Sequence, residues 1–512
     1  MLERSLTSKV CRAQVETLRN KSGCDFQALE RIALALGLQE DPRTLQARPD
    51  DKGGRAFEYE HIDHFGTHGE VFRSVISVLN NQVMQGSGLM EFVRKAINAG
   101  MERLAAAFEA CHQDWEMTLR RLDPIEGFGK SARLLASATV TPIDIWVGTD
   151  GQGRPIVWAF NREGGDQTNG NTAIMGVPGM GKTQFLQSLL SQIAVQGSET
   201  GFLALDYKGD LGKDERFVKR TGARIIRPEE CPVPLNPLAI PERVPARLVP
   251  EAFAEVFKSF RPGLGEVQKN ALANAYRDLL DAGAEPTFTA LHDRLKAIYE
   301  ENSRSEDTAT GLVRQLASLQ LFAEKATLSP SELLGQRIIL DLSRLESVRE
   351  LVAFLVLHAF QMAVSCLPDA PIEAQDERRA LRCVVAIDEA HHYLRRKSPP
   401  LLTLVREGRS RGVAVMLASQ SPEDFRGQPE YEELLGNAFL FRLGQPPSNR
   451  SLAGVLHESQ RTAKQLADVV VGLRQYEVVS TLRTGENNRH SRLKILPFWQ
   501  LAEEAGGKGP GR

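Results

Sequence analysis

Apolar residues recur with two different periods along this chain, and the change of period separates it into regions. Over residues 1–120 they recur every three or four positions, which is typical of amphipathic helices. Two stripes stand out: Ala28, Leu29, Ile32, Ala33 and Leu36, then Leu89, Phe92, Val93, Ala96, Ile97, Met101 and Leu104. The pattern predicts a small all-α domain over residues 1–120, with a polar loop over residues 39–58.

From residue 144 onward, short apolar runs take the place of the stripes. Two runs around the turn at residues 149–153 predict a hairpin. Later runs are nearly continuous in apolar residues, as in the buried strands of a parallel sheet: Gly201–Leu205, Arg337–Leu342, Cys383–Ile387, Ala414–Ala418, Ala438–Leu443 and Glu477–Leu482. Residues 144–500 are therefore predicted to form an α/β domain, with a helical insertion over residues 244–335. Residues 121–143 are predicted to be a linker and residues 501–512 a disordered tail.

Composition narrows the class of protein. The 512 residues carry a formal net charge of −2, and their 42% hydrophobic and 25% charged residues are ordinary globular values. Without an overall basic excess, any DNA contact must be local. The six cysteines show no C-x-x-C spacing, so neither a zinc site nor a disulfide framework is indicated, and a reducing compartment is favoured. With no signal peptide and no apolar run of about 18 to 20 residues, we expect a cytoplasmic protein without a membrane partner.

Residues 176–183 fit the pattern G-x-x-x-x-G-K-[ST] and follow the short apolar run Thr172–Met175. A glycine-rich turn between a strand and a helix lets backbone N–H groups surround phosphate oxygens, while the lysine and the threonine serve the terminal phosphates and Mg²⁺. The pattern predicts that the chain binds ATP with Mg²⁺. The predicted nucleotide-binding residues are Gly176, Gly179, Gly181, Lys182, Thr183 and Gln184.

A second motif joins the apolar run Cys383–Ile387 to the acids Asp388 and Glu389. A buried parallel strand that ends in carboxylates places them at the sheet edge where the phosphate loop lies. We predict that Asp388, together with Thr183, holds Mg²⁺ and that Glu389 is the catalytic base that activates water. Lys182 is also a predicted catalytic residue, because its ammonium faces the terminal phosphates.

Three further side chains are candidates for the same reaction. The run Ala414–Ala418 leads to Gln420, whose amide would orient the attacking water or sense the terminal phosphate. Phosphoryl transfer also gains from a cation at the phosphate oxygens, which a neighbouring subunit can supply. Arg409 is the first candidate for such an arginine finger and Arg442 the second. For Arg409, a solvated helix face is the alternative.

These motifs, in this order, resemble the HerA/FtsK superfamily of hexameric DNA-pumping ATPases. The resemblance covers about residues 140–500 and rests on Trp146–Val157, Leu205–Asp210, Pro234–Leu238, Asp388–His391, Arg406–Arg409 and Ser419–Gln420. It implies a RecA-like P-loop ATPase core, a homo-oligomer that we expect to be a hexamer, and ATP hydrolysis coupled to translocation of double-stranded DNA. Val177–Met180 departs from the usual loop of this superfamily, outside the Gly-Lys-Thr that contacts phosphate.

The first region resembles DndE, a small helical DNA-binding protein of DNA phosphorothioation systems. The resemblance rests on Ser8–Gly23, Ala33–Leu38 and His64–Glu70. Residues 1–23 also carry five basic side chains against two acidic ones, an excess that favours phosphate contacts. The predicted DNA-binding residues are Lys9, Arg12, Arg19 and Lys21. The two resemblances together imply a prokaryotic DNA modification, restriction or antiphage defence system.

Two other functions remain open at this point. The same superfamily includes ATPases of conjugative type IV secretion, and an ATP-dependent scaffold or switch would use the same loop without pumping DNA. Glu389 favours hydrolysis, because a pure switch can dispense with the base. No further constellation of acids with a lysine indicates a nuclease, so DNA cleavage would belong to a partner protein.

Three histidines, His61, His64 and His68, lie close together in the first region. Gly66 interrupts the helix that would bring His64 and His68 onto one face, and no cysteine lies nearby. We therefore predict loop or cap positions for these histidines and no metal site.

Overall fold

The structure, a computed structural model of the chain, describes residues 4–6, 9–22, 26–38, 56–58, 86–110, 140–164, 169–240, 244–283, 286–324, 330–373, 375–396, 398–426, 429–482 and 491–506. The chain divides into two compact units, Met1–Lys130 and Ser131–Arg512. Most of the predicted linker over residues 121–143 lies outside the described residues, as do His61, His64 and His68.

The N-terminal unit contains helices α1 (Lys9–Ser22), α2 (Phe26–Gly37) and α3 (Gly86–Ala110) and strands β1 (Arg4–Leu6) and β2 (Ala56–Glu58). The two predicted apolar stripes lie on α2 and α3, and their buried members form a common core. The two helices pack closely, because a side chain at Gly37 or Gly100 would collide with the backbone of the opposite helix. This contact explains both glycines inside helical sequence.

The prediction of an all-α domain here needs one correction. β1 and β2 pair antiparallel, with Ser5 opposite Phe57, so a two-stranded sheet accompanies the helices. β2 lies inside the segment predicted as a loop over residues 39–58, of which residues 39–55 are outside the described part. Three-residue strands are too short to show a period of two, so only pairing between distant segments reveals them.

The second unit is built on a large sheet. Its strands are β3 (Asp144–Thr149), β4 (Pro155–Ala159), β5 (Thr172–Met175), β6 (Gly201–Asp206), β7 (Arg224–Ile226), β8 (Arg337–Asp341), the separate pair β9 (Ile372–Glu373) and β10 (Arg378–Arg379), β11 (Cys383–Ile387), β12 (Val413–Ser419), β13 (Asn437–Leu440), β14 (Glu477–Ser480) and β15 (Ser491–Ile495). Eleven of them form one sheet in the order β4-β3-β15-β14-β13-β5-β12-β11-β6-β8-β7. Neighbours from β13 to β7 are parallel and those from β4 to β13 are antiparallel.

Helices connect and cover these strands. They are α4 (Lys182–Gln196), α5 (Glu215–Thr221), α6 (Val249–Phe260), α7 (Glu266–Asp281), α8 (Phe288–Glu301), α9 (Thr308–Leu319), α10 (Pro330–Leu334), α11 (Arg349–Ser365), α12 (His391–Leu394), α13 (Pro399–Glu407), α14 (Pro429–Leu434), α15 (Asn449–Leu456), α16 (Gln460–Val471) and α17 (Phe498–Gly506). Short 3₁₀ turns lie at Ala246–Leu248, Glu346–Val348, Arg409–Arg411 and Pro422–Phe425. Helices α6 to α9 fall within residues 244–335, and each packs on the next.

The central strands bury both of their faces. On β11, Val385 and Ile387 belong to one apolar core, while Val384 and Ala386 belong to the core on the opposite face. Alternate residues of a strand point to opposite faces, so an unbroken apolar run means a strand covered on both sides. This arrangement confirms the predicted α/β class.

The predicted strands of the large sheet differ from the observed ones at β13, β7 and β15. β13 ends at Leu440, earlier than the predicted Leu443, and β7 and β15 were not predicted. β7 is a three-residue strand at one edge of the sheet, too short to give a periodic signal. β15 alternates polar and apolar residues, a pattern that indicates a half-buried strand.

The C-terminal end also differs from its prediction. Residues 501–506 belong to helix α17 rather than to a disordered tail over residues 501–512, because Phe498 and Leu501 are buried in the core that contains Val384 and Ala386. Residues 507–512 lie outside the described part.

One segment qualifies as a membrane span by length and composition. Among the described helices, Glu346–Ser365 is long and apolar enough, contrary to the expectation that no run approaches this size. However, 72% of its most apolar window is buried in the protein, and the apolar residues of α11 belong to the core that contains Val385 and Ile387. Burial inside an α/β unit explains the same composition.

Candidate functional site

The loop at residues 176–183 joins the end of β5 to the start of α4. Gly176, Gly179 and Gly181 have φ angles of 151°, 79° and 107°, a region that other residues rarely adopt. At Gly181 a Cβ would also lie 2.5 Å from the ring of Tyr476. The turn therefore requires glycine at these positions, and it presents the N-terminus of α4 to the loop.

Lys182 is turned back into this loop. Its Nζ donates to the carbonyl oxygens of Gly176, at 2.6 Å, and of Val177, at 3.2 Å. Burial lowers the pKa of Lys182, and the charges of Glu389 and Asp388 act against that shift. The ammonium thus lies within electrostatic reach of both predicted acids.

A segment without a predicted role, Arg474–Tyr476, contacts the same loop. Gln475 Nε2 donates to the carbonyl of Gly179 at 3.0 Å, and the backbone N–H of Tyr476 donates to that of Met180 at 3.2 Å. Tyr476 has a φ of 63°, unusual for a residue with a side chain. Only the folding of β14 beside β13 brings this segment to the loop, so no local motif marks it.

Asp388 follows β11, which is separated from β5 in the sheet by β12 alone. The carboxyl is buried, and burial together with the adjacent charge of Glu389 raises the pKa of Asp388 to about 7. A bound cation would favour the ionised form of such a group. Its position and chemistry suit the predicted role as a magnesium ligand.

Glu389 combines a strained backbone with a fully engaged carboxylate. Its φ is 52°, and such values in residues other than glycine cluster at functional sites. Oε1 accepts a hydrogen bond from Lys208 Nζ, Oε2 accepts one from Gln420 Nε2 at 2.9 Å, and His391 Nδ1 lies 3.2 Å from Oε2. Burial alone would raise the pKa of Glu389, but the hydrogen bonds from Lys208 and Gln420 bring it below its ordinary value. The carboxylate is held as an anion, the form that a general base needs.

Lys208 had no predicted role, although it lies in the segment Leu205–Asp210. Asp206 ends β6 and accepts hydrogen bonds from the backbone N–H groups of Gly209 and Leu211, both at 2.8 Å. These bonds shape the turn that carries Lys208. Because β6 and β11 are neighbours, with Leu205 opposite Ile387, the turn delivers Lys208 to Glu389.

The two arginine candidates lie at different edges of the sheet. Arg409 precedes β12, whose seven residues, about 20 Å of extended chain, separate it from Gln420. It is half-exposed and pairs with Glu163 at 3.1 Å. Arg442 is exposed just past the end of β13, and its carbonyl accepts a hydrogen bond from Val177 of the loop at 3.0 Å. Within one subunit, Arg442 is therefore near the loop and Arg409 is not; either one as a finger stays a prediction.

An open groove of about 560 Å³ runs beside the start of α4 and is lined in part by Thr183, Gln184 and Asp210. The amide of Gln184 donates to Gln187 at 2.9 Å and accepts from the N–H of Trp499 at 3.1 Å. Gln184 thus ties α4 to α17, and its contact with nucleotide stays a prediction.

The loop and the two acids fit a nucleoside triphosphate with Mg²⁺. A Cβ at Gly176 would lie 2.5 Å from that of Phe441, so only glycine fits there, and the buried Lys182 turns its ammonium toward the loop. In the described part of the chain, no group of three or more His, Cys, Asp or Glu side chains forms a metal site. Mg²⁺ takes few protein ligands and completes its shell with phosphate oxygens and water, and Thr183 with Asp388 would supply the protein's share.

The predicted DNA-binding residues all lie on α1 of the N-terminal unit. Arg19 is exposed, whereas the side chains of Lys9, Arg12 and Lys21 lie outside the described part. Cys11, Val15 and Leu18 are buried on the same helix, so α1 has one apolar, buried face. The role in DNA binding stays a prediction.

Comparison with known proteins supports the assignment of the loop. Residues 170–358 match the family model described as the central domain of helicase HerA, a range that includes Lys182 and Lys208 but ends before Asp388. Among solved structures, the chain is similar to VirB4 of Thermoanaerobacter pseudethanolicus, with a TM-score of 0.55 and 20% identity over 70% of this chain and 98% of that one. It is also similar to the bacterial conjugative coupling protein TrwBdeltaN70, with a TM-score of 0.43 and 13% identity over 72% and 92% of the two chains. No curated protein sequence matches significantly.

These similarities have different weight. The similarity to VirB4 confirms the predicted fold, a RecA-like P-loop ATPase architecture. Its low identity carries no information beyond the fold, and a TM-score of 0.43 supports no argument. The match shows that residues 170–358 are similar to the HerA central domain, in agreement with the resemblance of the motifs. The resemblance of the first region to DndE stays a prediction.

Proposed function

We propose that this chain is an ATPase of the HerA/FtsK type that uses ATP hydrolysis to translocate double-stranded DNA. The observation that carries the enzymatic half is the convergence of Lys182, Asp388, Glu389 and Gln420 at one edge of the sheet. They follow three neighbouring strands: Lys182 follows β5, Gln420 follows β12, and the two acids follow β11. The range that matches the HerA model includes β5 and Lys182.

Each of these side chains has surroundings that suit one role. The loop glycines and Lys182 would hold the phosphates of ATP, and Thr183 with Asp388 would hold Mg²⁺, which supplies positive charge to the phosphate oxygens. Glu389 accepts the proton of the attacking water at a carboxylate oxygen. Gln420 positions that carboxylate through its hydrogen bond. The parallel sheet places all of them within one edge.

The motor half of the proposal adds assembly and DNA. We infer a homo-oligomeric ring, expected to be a hexamer, from the resemblance of the motifs to hexameric DNA-pumping ATPases. In such a ring Arg409, which lies at the end of β12 opposite the loop, would serve another copy's nucleotide. The basic residues of α1 would engage DNA or a partner such as a nuclease or modification-system protein. The setting would be a prokaryotic modification, restriction or antiphage defence system in the cytoplasm.

A second candidate is an ATPase of conjugative type IV secretion. The superfamily that the motifs resemble includes such ATPases, and the fold shared with VirB4 is compatible with either candidate. The same site would hydrolyse ATP in both cases, so the candidates differ in what the chain moves. A scaffold that binds ATP to assemble a nuclease would differ from both in its turnover.

One pair of measurements tests the proposal. ATP hydrolysis by the full chain is followed with and without duplex DNA, with Lys182→Ala as background, and native mass spectrometry counts the copies per particle. Hydrolysis stimulated by duplex DNA in a ring-sized particle supports the motor. A hydrolysis rate that does not change with duplex DNA favours the secretion ATPase. Nucleotide binding without hydrolysis would support the scaffold and exclude the other two functions.

A further inference from the structure

A cavity of about 340 Å³ opens beside Glu389, away from the phosphate loop. It lies over the C-terminal ends of four strands, because residues that follow them line it: Lys208 after β6, Ser343 after β8, Glu389 after β11 and Gln420 after β12. Arg349 also lines the cavity. Tyr207, His391 and His392 also line the cavity. Of these side chains, Lys208, His391 and Gln420 contact Glu389. The proposed steps of ATP hydrolysis do not need Tyr207, Arg349 or His392.

Two cations face this cavity. Lys208 is half-exposed and bonded to Glu389. Arg349 begins the seventeen-residue helix α11, and its guanidinium lies 4.2 Å above the ring of Tyr207. Its Nη2 donates to the carbonyl of Ser343, and its buried Nε has no hydrogen-bond partner; among the described residues, no carboxylate makes an ion pair with Arg349. The N-terminus of α11 adds positive potential at the same place.

The negative side of the cavity is weak. Glu389 is the only carboxylate among the lining residues. Glu350, close by, is already paired with His392 at 3.1 Å and with Arg396 at 2.6 Å. His392 stacks on Tyr207 with ring centroids 4.0 Å apart, which fixes an aromatic wall. The cavity therefore holds an excess of hydrogen-bond donors and positive charge over acceptors.

We propose that this cavity, formed by Tyr207, Lys208, Arg349, His391, His392 and Gln420, is a second anion site that binds a phosphate group. The proposal rests on the proposed function, which supplies two sources of that group: the phosphodiester of DNA and the terminal phosphate of a nucleotide. The phosphate takes the Lys208 ammonium from Glu389. The carboxylate then keeps its hydrogen bond from Gln420 but loses its cation, so that its oxygen is free to accept a proton from water.

The contact between Lys208 and Glu389 makes occupancy of the site and readiness of the base mutually dependent. A ligand phosphate competes with the Glu389 carboxylate for one ammonium. Removing the carboxylate charge must therefore strengthen phosphate binding, whereas removing Lys208 must weaken it. The two effects cannot be independent, and this dependence is what separates competition from simple electrostatics.

Binding to the full chain, without turnover, measures that dependence. One arm uses a fluorescent duplex in the absence of nucleotide, and the other a fluorescent non-hydrolysable ATP analogue in the absence of DNA. The variants are Lys208→Met, Arg349→Met, Glu389→Gln and the double variant Lys208→Met with Glu389→Gln. Lys219→Met, an exposed lysine on α5 outside both sites, is the control for loss of one positive charge.

We expect Glu389→Gln to tighten binding about fivefold, the factor that a partly exposed ion pair represents. Lys208→Met and Arg349→Met should weaken it by a similar factor, and on duplex each should lower the salt slope by about one. In the Lys208→Met background, Glu389→Gln should no longer tighten binding. Thermal unfolding of each variant checks that it is folded.

The arm in which the dependence is found identifies the source of the phosphate as DNA or nucleotide. Equal tightening by Glu389→Gln with and without Lys208, in both arms, overturns the proposal, because Glu389 would then act on the ligand only by repulsion. Failure to bind either probe overturns it as well. The proposed function is tested separately, by ATP hydrolysis. If the wild-type chain hydrolyses no ATP, the proposed function fails, but binding by the four variants can still be compared.

Discussion

Replacing Glu389 with glutamine should stop ATP hydrolysis, leave folding nearly intact and cause no loss of ATP binding. Glutamine has the same shape, and its Oε1 can still accept the hydrogen bond from Lys208. The Gln420 amide can turn so that its oxygen faces the new NH₂ group. The change removes one charge from a pair in which the Lys208 side chain is 45% exposed, so we expect a loss of at most about 1 kcal/mol in folding stability.

The chemical step should suffer far more. An amide cannot take the proton of the attacking water, and loss of a positioned general base slows a reaction by about 10² to 10⁴-fold. That range corresponds to about 3 to 5 kcal/mol in the activation free energy. The expected effect on catalysis thus exceeds the effect on folding severalfold, which separates the two explanations for lost activity.

Three measurements on the same preparation check this prediction: single-turnover ATP hydrolysis, equilibrium binding of a non-hydrolysable ATP analogue, and the thermal unfolding midpoint. Glu255→Gln is the matched control, because it breaks another lysine–glutamate pair, with Lys269 at 2.7 Å, in the helical insertion. Hydrolysis within about tenfold of wild type would refute Glu389 as the base. If the variant folds but no longer binds ATP, the roles of Glu389 and Asp388 would have to be exchanged.

Three other predictions follow from the site and the first region. Lys182→Ala should fold normally and lose turnover, because the terminal phosphates lose the loop's ammonium; an ATPase assay with wild-type rate would remove the phosphate-loop assignment. Mixing Arg409→Ala with Lys182→Ala subunits should restore part of the activity if Arg409 acts on a neighbouring subunit, whereas a strictly additive loss would count against it. Four basic residues of α1 are replaced together with glutamine: Lys9, Arg12, Arg19 and Lys21. The replacement should reduce the salt slope of duplex binding by up to about four, and an unchanged slope would identify a solvated surface.

The fold class and the central strands could be predicted because their signals are local. An unbroken apolar run such as Cys383–Ile387 needs cover on both faces, and a glycine-rich turn before a helix has few other structural uses. The proximity of Lys182, Asp388 and Glu389 was likewise predictable, since the carboxyl ends of parallel strands lie at the same edge of the sheet. The short pair β1 and β2 and the edge strand β7 were missed, because three residues carry no period.

Long-range register supplied what these local signals lack. Lys208 reaches Glu389 only because β6 lies beside β11 with Leu205 opposite Ile387, and residues so far apart in the chain leave no joint pattern in it. Tyr476 meets Gly181 through the pairing of β13 with β14, and Arg409 is separated from its own loop by the length of β12. Short motifs of neighbouring residues therefore predict which side chains carry the chemistry. The contacts of each side chain depend on the order of the strands, which is set by the burial of both faces of the sheet.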